Sequence, residues 1–137
     1  MNKLICRTLM LLYFIYLLLN PTFSQEWIPY YEDDKISISY TSKVCDDRQN
    51  GFDFEYYLIR VTNRTDQTLV INFNKSAEEV SKEEDKLAFV LAPTEIKTGS
   101  CDYDPVKLRV FKADRRSNKT ARGDIFALSK INVIEVY

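Results

Sequence analysis

Asp46 and Asp47 follow Cys45 directly, and Asp102 and Asp104 follow Cys101 at one and three residues. If the two cysteines pair, four carboxylates are drawn into one neighbourhood. Clustered oxygen ligands suit calcium. Against this, aspartates beside turns commonly accept hydrogen bonds from nearby backbone, and consecutive residues diverge. No EF-hand spacing is present. The expectation is a weak calcium site built from Asp46, Asp47, Asp102 and Asp104, set against four solvated turn residues.

A second constellation is basic. Lys107, Arg109, Lys112, Arg115, Arg116, Lys119 and Arg122 fall within one short stretch whose only acid is Asp114. On a hairpin, Lys107, Arg109, Arg115, Arg116 and Lys119 would form a ridge for an anionic glycan or another polyanion. The competing reading is an outward strand face whose charges block edge aggregation. A third is aromatic: Trp27, Tyr30 and Tyr31 near the N-terminus would offer a sugar platform, or would fold back and bury their rings. Asn63, Asn74 and Asn118 each open an Asn-x-Ser/Thr acceptor sequon, which matters only in a glycosylating host.

Several chemistries are excluded. The chain has no histidine, so histidine-dependent nucleophilic triads and histidine-based zinc sites are out. Its three glycines lie far apart and form no phosphate-binding loop. A carboxylate pair of the glycosidase kind remains available, but no pair has a distinctive spacing. The charge balance of 19 bases against 20 acids argues against a general nucleic-acid binder.

The N-terminus sets the compartment. Lys3 and Arg7 precede an unbroken apolar run from Leu9 to Leu19, then Asn20-Pro21, then small residues up to Ser24. That order is a secretory signal, cut after Ser24, and the apolar run is short for a membrane span. Residues 1–24 are therefore expected to be a signal peptide and 25–137 a single domain, secreted or periplasmic, with no membrane span after cleavage. Cys6 would leave with the signal. Cys45 and Cys101 would remain, and an even pair in an oxidising compartment predicts a disulfide.

The elements that must position these groups are strands. Ile36, Ile38 and Tyr40 alternate with serines; Leu69, Ile71 and Phe73 alternate with polar residues; Leu87, Phe89 and Leu91 mark a further strand, and Val106, Leu108 and Val110 another. In Phe52–Thr62 the apolar parity switches. Phe52, Phe54 and Tyr56 share one face and Tyr57, Ile59 and Val61 the other, which predicts a bulge or a strand buried on both faces. Ser76–Asp85 is acidic and reads as a solvated loop, and Ile125–Leu128 with Ile131–Tyr137 closes the chain. About seven short strands, with no helix-length amphipathic segment beyond the signal, predict an all-β fold: one antiparallel β-sandwich, immunoglobulin-like, with one disulfide. A small barrel is the alternative.

The order ISISY, Cys45, YYLIRVTNRTDQTLVINF, Leu-x-Pro, Gly-Ser-Cys and FALSKINV resembles small exported β-sandwich proteins of Bacteroidetes bacteria. The resemblance spans most of residues 25–137 and implies the fold, with no activity and no catalytic residue. The expected function is a non-enzymatic binding or interaction module with a protein or glycan surface partner and no cofactor beyond calcium. The rivals are a small carboxylate-dependent glycan-acting enzyme and a structural subunit of a surface assembly. A long unpaired edge strand would indicate the last.

Overall fold

The computed structural model describes residues 2–18, 24–47, 49–117, 119–120 and 125–137. Helix α1 (Asn2–Leu18) covers most of the apolar N-terminal run, and its Leu9, Met10, Leu11 and Leu12 are exposed. No helix among the described residues is long and apolar enough to cross a membrane. Residues 19–23, which precede the expected cleavage position, lie outside the described residues.

Among the described residues nine strands follow: β1 (Ile28–Glu32), β2 (Ile36–Asp47), β3 (Phe52–Asn63), β4 (Thr68–Asn74), β5 (Lys86–Leu91), β6 (Ile96–Thr98), β7 (Arg109–Asp114), β8 (Lys119–Thr120) and β9 (Ser129–Val136). They build two antiparallel sheets. The six-stranded sheet runs β1-β2-β3-β7-β8, with β6 also paired to β3; the three-stranded sheet runs β5-β4-β9. Ile36, Ile38, Tyr57, Ile59 and Val61 of the larger sheet meet Leu69, Ile71, Phe73, Phe89 and Leu91 of the smaller one in a single buried core. This is the two-layer solution that alternating strands require.

β3 is the hub. β2 pairs with it along its whole length, from Asp47↔Phe52 to Ile36↔Asn63. Its other edge is shared: β7 takes Phe54–Leu58 and β6 takes Arg60–Thr62. Between the two partners the chain leaves the sheet and comes back. Gly99 N–H donates to Ile59 O at 2.8 Å, and Ile59 N–H donates to Leu108 O at 2.9 Å. Gly99 allows this close return, because a Cβ there would sit 1.9 Å from the Leu108 carbonyl oxygen.

The parity switch in β3 is resolved by burial on both faces, not by a bulge in the strand. Its ladder with β2 is unbroken, so the strand itself has no bulge. The irregularity lies in its partner: Lys112 is the extra residue of β7 opposite the Glu55–Tyr56 step. The strand is also buried locally on both faces, since Leu58 is buried although it alternates with core-facing Tyr57 and Ile59.

Other expectations are corrected. β2 continues through Cys45–Asp47, where a turn was expected, because those residues find partners in Phe52–Phe54. Val106–Leu108 is not strand; Lys107 has φ 51° and β7 starts at Arg109. Ile125–Leu128 is extended but unpaired, held instead by burial of Phe126 and Leu128. β1 was not foreseen as a strand. Ser76–Asp85 is the expected loop, with two short 3-10 turns.

Cys45 and Cys101 form the predicted disulfide, 56 residues apart in sequence. In the immunoglobulin arrangement the bridge joins opposite sheets. Here it joins β2 to the segment that has just left β6, so both ends belong to the six-stranded sheet. The sandwich-like architecture is as expected; the bridge is not of the immunoglobulin kind.

Candidate functional site

Cys45 alternates with core-facing Ile36, Ile38 and Tyr40, so it lies on the outer face of β2. Gly99 and Leu108 lie at the opposite edge of β3. The chain after Gly99 must therefore cross β3 on its outer face to bring Cys101 to Cys45, and it is back against the inter-sheet core by Val106. The crossing seals Thr41 and Leu58, a registered pair on that face, which are 5 % and 2 % exposed. Arg109 braces it: its Nη1 donates to Cys101 O at 2.9 Å, and its guanidinium stands 4.9 Å over the Tyr56 ring. Farther out, Arg60 lies 3.9 Å over the Trp27 ring.

Past the crossing, towards the β2–β3 turn, the face is open and aromatic. Phe52, Phe54 and Tyr56 follow one another along β3, and Phe111 of β7 sits beside them. Phe54 contacts Phe52 at 5.2 Å and Phe111 at 5.6 Å between ring centroids, and Tyr56 contacts Phe111 at 5.9 Å. Phe52 is half exposed and Phe111 more than a third. The interplanar angles of Phe111 to Phe54 and Tyr56 are 80° and 79°, so these three rings form a herringbone, the favoured geometry for ring quadrupoles, with Phe52 tilted 36° from Phe54. It presents ring edges and faces alternately and has no broad flat shelf. In the sequence these aromatics register only as a switch of apolar parity. The signal was available, since two phenylalanines and a tyrosine stood on the face opposite the core set.

The four aspartates do not converge. Asp46 and Asp47 alternate along β2 and point to opposite faces. Asp47 accepts hydrogen bonds from Asn50, at 2.7 Å from Nδ2 and 3.2 Å from the backbone, which close the β2–β3 turn and hold its carboxyl below the usual range. Asp104 accepts from Val106 N–H at 2.9 Å. Among the described residues no group of three or more metal-ligating side chains is close enough to hold an ion. The expected calcium site is replaced by turn chemistry.

The basic stretch does not form one ridge either, because its residues are divided between the faces of β7. Arg109 braces the crossing. Lys112 turns to the other face and pairs with Glu55 at 2.7 Å; the bond from Lys112 and a second from Ser42 hold the Glu55 carboxyl below its usual range. Arg115 lies 3.7 Å from Asp53, and Arg116 Nη1 donates to Gly51 O at 2.6 Å, so both lean on the β2–β3 turn. Lys107 is exposed at the far end. The Lys119 side chain and Arg122 lie outside the described residues.

The N-terminal aromatics fold back. Tyr30 Oη donates to Leu128 O at 2.9 Å and accepts from Leu128 N–H at 2.8 Å, with its ring edge-on to Phe126 at 5.0 Å. Tyr31 Oη donates to Asp33 at 2.8 Å. Two sequons are buried as structural anchors. Asn63 Nδ2 donates to Gln67 O at 2.7 Å and Ala92 O at 2.9 Å, and Asn74 Nδ2 donates to Ser81 Oγ at 2.7 Å. Asn118 lies outside the described residues.

Comparison with known protein families, curated proteins and solved structures finds no match to this chain.

Proposed function

We propose that this chain is an exported, non-enzymatic module that binds a partner protein through the open aromatic end of its six-stranded sheet. The observation that carries the reading is the cluster of Phe52, Phe54, Tyr56 and Phe111 on the face away from the core, with Phe52 and Phe111 exposed and Phe54 and Tyr56 half-buried. Aromatic side chains with an adjacent arginine are the composition enriched at the centres of protein interfaces. The herringbone favours an irregular protein surface over a pyranose, which stacks on a flat ring. Export is supported by the basic, apolar and small-residue blocks of residues 1–24 and by a disulfide, which persists in oxidising compartments. The absence of histidine and the pairing of both domain cysteines leave little for catalysis to use.

A photo-reactive benzoylphenylalanine placed at Phe52, in the native envelope, is expected to give a discrete protein adduct. The same probe at Ile134, on the three-stranded sheet, is expected to give none. The recovered partner should bind the Phe111→Ser variant at least about tenfold more weakly. Equal capture at both positions, or unchanged affinity after Phe111→Ser, would sink the reading. Capture at Ile134 alone would instead favour a subunit of a surface assembly, since the strands flanking β4 have open outer edges among the described residues.

A further inference from the structure

A cleft of about 570 Å³ opens between the sheets, sharing only Phe111 with the aromatic cluster. Its walls include Tyr57, Val110 and Phe126, and Lys75 and Ser76 stand at it where the chain leaves β4. The volume lies within the range of small-molecule sites.

Three lysines line the cleft, and they are not equivalent. Lys112 is paired with Glu55 at 2.7 Å, and Lys82 lies 3.7 Å from Glu84. Lys75 has no carboxylate within ion-pair distance among the described residues. Its Nζ donates only to the Lys107 carbonyl, at a long 3.4 Å. Asp85 helps its charge from farther off, while Lys107 and Arg109 oppose it; burial is the largest influence and holds the ammonium below the usual lysine range. Next to it, the Ser76 hydroxyl is buried without a hydrogen-bond partner. A desolvated ammonium and an unmatched hydroxyl are both costly unless something answers them.

We propose that this cleft binds a small amphiphilic carboxylic acid, with its carboxylate on Lys75 and its apolar body against Tyr57, Val110 and Phe126. The carboxylate supplies the charge partner that the protein withholds from Lys75, and the aromatic and aliphatic wall removes the apolar body from water. An uncharged molecule of the same shape leaves the ammonium unanswered, and a cationic one adds repulsion. Phe111 borders both this cleft and the aromatic cluster, but Lys75 belongs to the cleft alone, so the Lys75 variants test this site apart from the other.

Titration calorimetry with three probes of one chain length tests this, each below its micelle concentration. Decanoate is expected to bind saturably, decanol more weakly, and decyltrimethylammonium not at all. Lys75→Met should weaken decanoate at least tenfold and leave decanol unchanged, while Lys75→Arg should keep most of the decanoate affinity. Equal binding of anion and cation, an unaffected Lys75→Met variant, or no decanoate binding at millimolar concentration would each overturn the proposal. Should Lys75→Met fail to fold, the Lys75 ammonium titration in the wild-type protein decides. Decanoate is expected to raise its pKa, and an unmoved titration rejects the site.

Discussion

The two ends of the outer face of β3 carry similar side chains and have opposite fates. At one end Leu58 and Thr41 are as buried as the core, although they face away from it. At the other, Phe52 is half exposed although it is larger and more apolar than Thr41. Residue type does not separate them. What separates them is the crossing of the chain after Gly99, held by Cys45–Cys101 at one end and by the Gly99 and Leu108 backbone bonds at the other. The bridge lands on Cys45, in register with Phe54; Thr41 and Leu58, on the side of it towards Gly99 and Leu108, are closed, and Phe52, beyond it, is open. One side of one sheet thus carries both a sealed pair and an open aromatic patch.

Removing the strap is the hardest test of that comparison. The Cys45→Ser plus Cys101→Ser variant should lose roughly 4 kcal/mol of stability, the chain-entropy value for so long a loop. Denaturant unfolding measures it. Hydrogen exchange should locate part of the change at Thr41 and Leu58; a change confined to the β2–β3 turn would break the argument that the strap seals the face.

A smaller effect sharpens it residue by residue. Leu58→Ala should cost about 3 kcal/mol, the range of a core truncation, whereas Phe52→Ala should cost under about 1 kcal/mol. In the double-serine background Leu58→Ala should cost less, because its cover is no longer held and contacting sites are not additive. Equal costs in both backgrounds would mean that Leu58 is sealed by something other than the strap.

The smallest expected effect lies on the opposite face. Glu55 is half-buried and its carboxyl is held low, chiefly by the bond from Lys112 and then by that from Ser42. A folded-state value below the unfolded one stabilises the protein above the unfolded carboxyl range. That contribution fades as pH falls through the lower, folded value. Glu55→Gln should therefore flatten the acid limb of the stability–pH curve slightly and leave the neutral limb parallel to wild type. An unchanged acid limb would assign the low-pH loss to other carboxylates.

Much of this was legible in the residues. Alternation in Ile36–Tyr40, Leu69–Phe73 and Leu87–Leu91 marks strands with one buried side, because strand side chains alternate whatever lies around them. Two cysteines beyond the apolar run leave one intramolecular pairing to make. Absent histidine excludes its chemistry without any coordinates. The candidate sites were less legible. Charges placed close in sequence, such as Asp46 with Asp47 or Arg109 with Lys112, were dispersed by strand alternation and by the extra residue in β7.

What the sequence by itself determined, then, was the strands with one cleanly alternating apolar side, the bridge and the apolar character of both faces of β3. Which part of the outer face is covered was decided only by tertiary structure, because cover comes from a segment some fifty residues away whose path depends on where β6 and β7 dock. The same holds for the lysines of the cleft: Lys112 finds Glu55, 57 residues earlier, while Lys75 has no carboxylate within ion-pair distance among the described residues. Local periodicity reports what a side chain prefers, and only the packed chain reports what is left over to meet it.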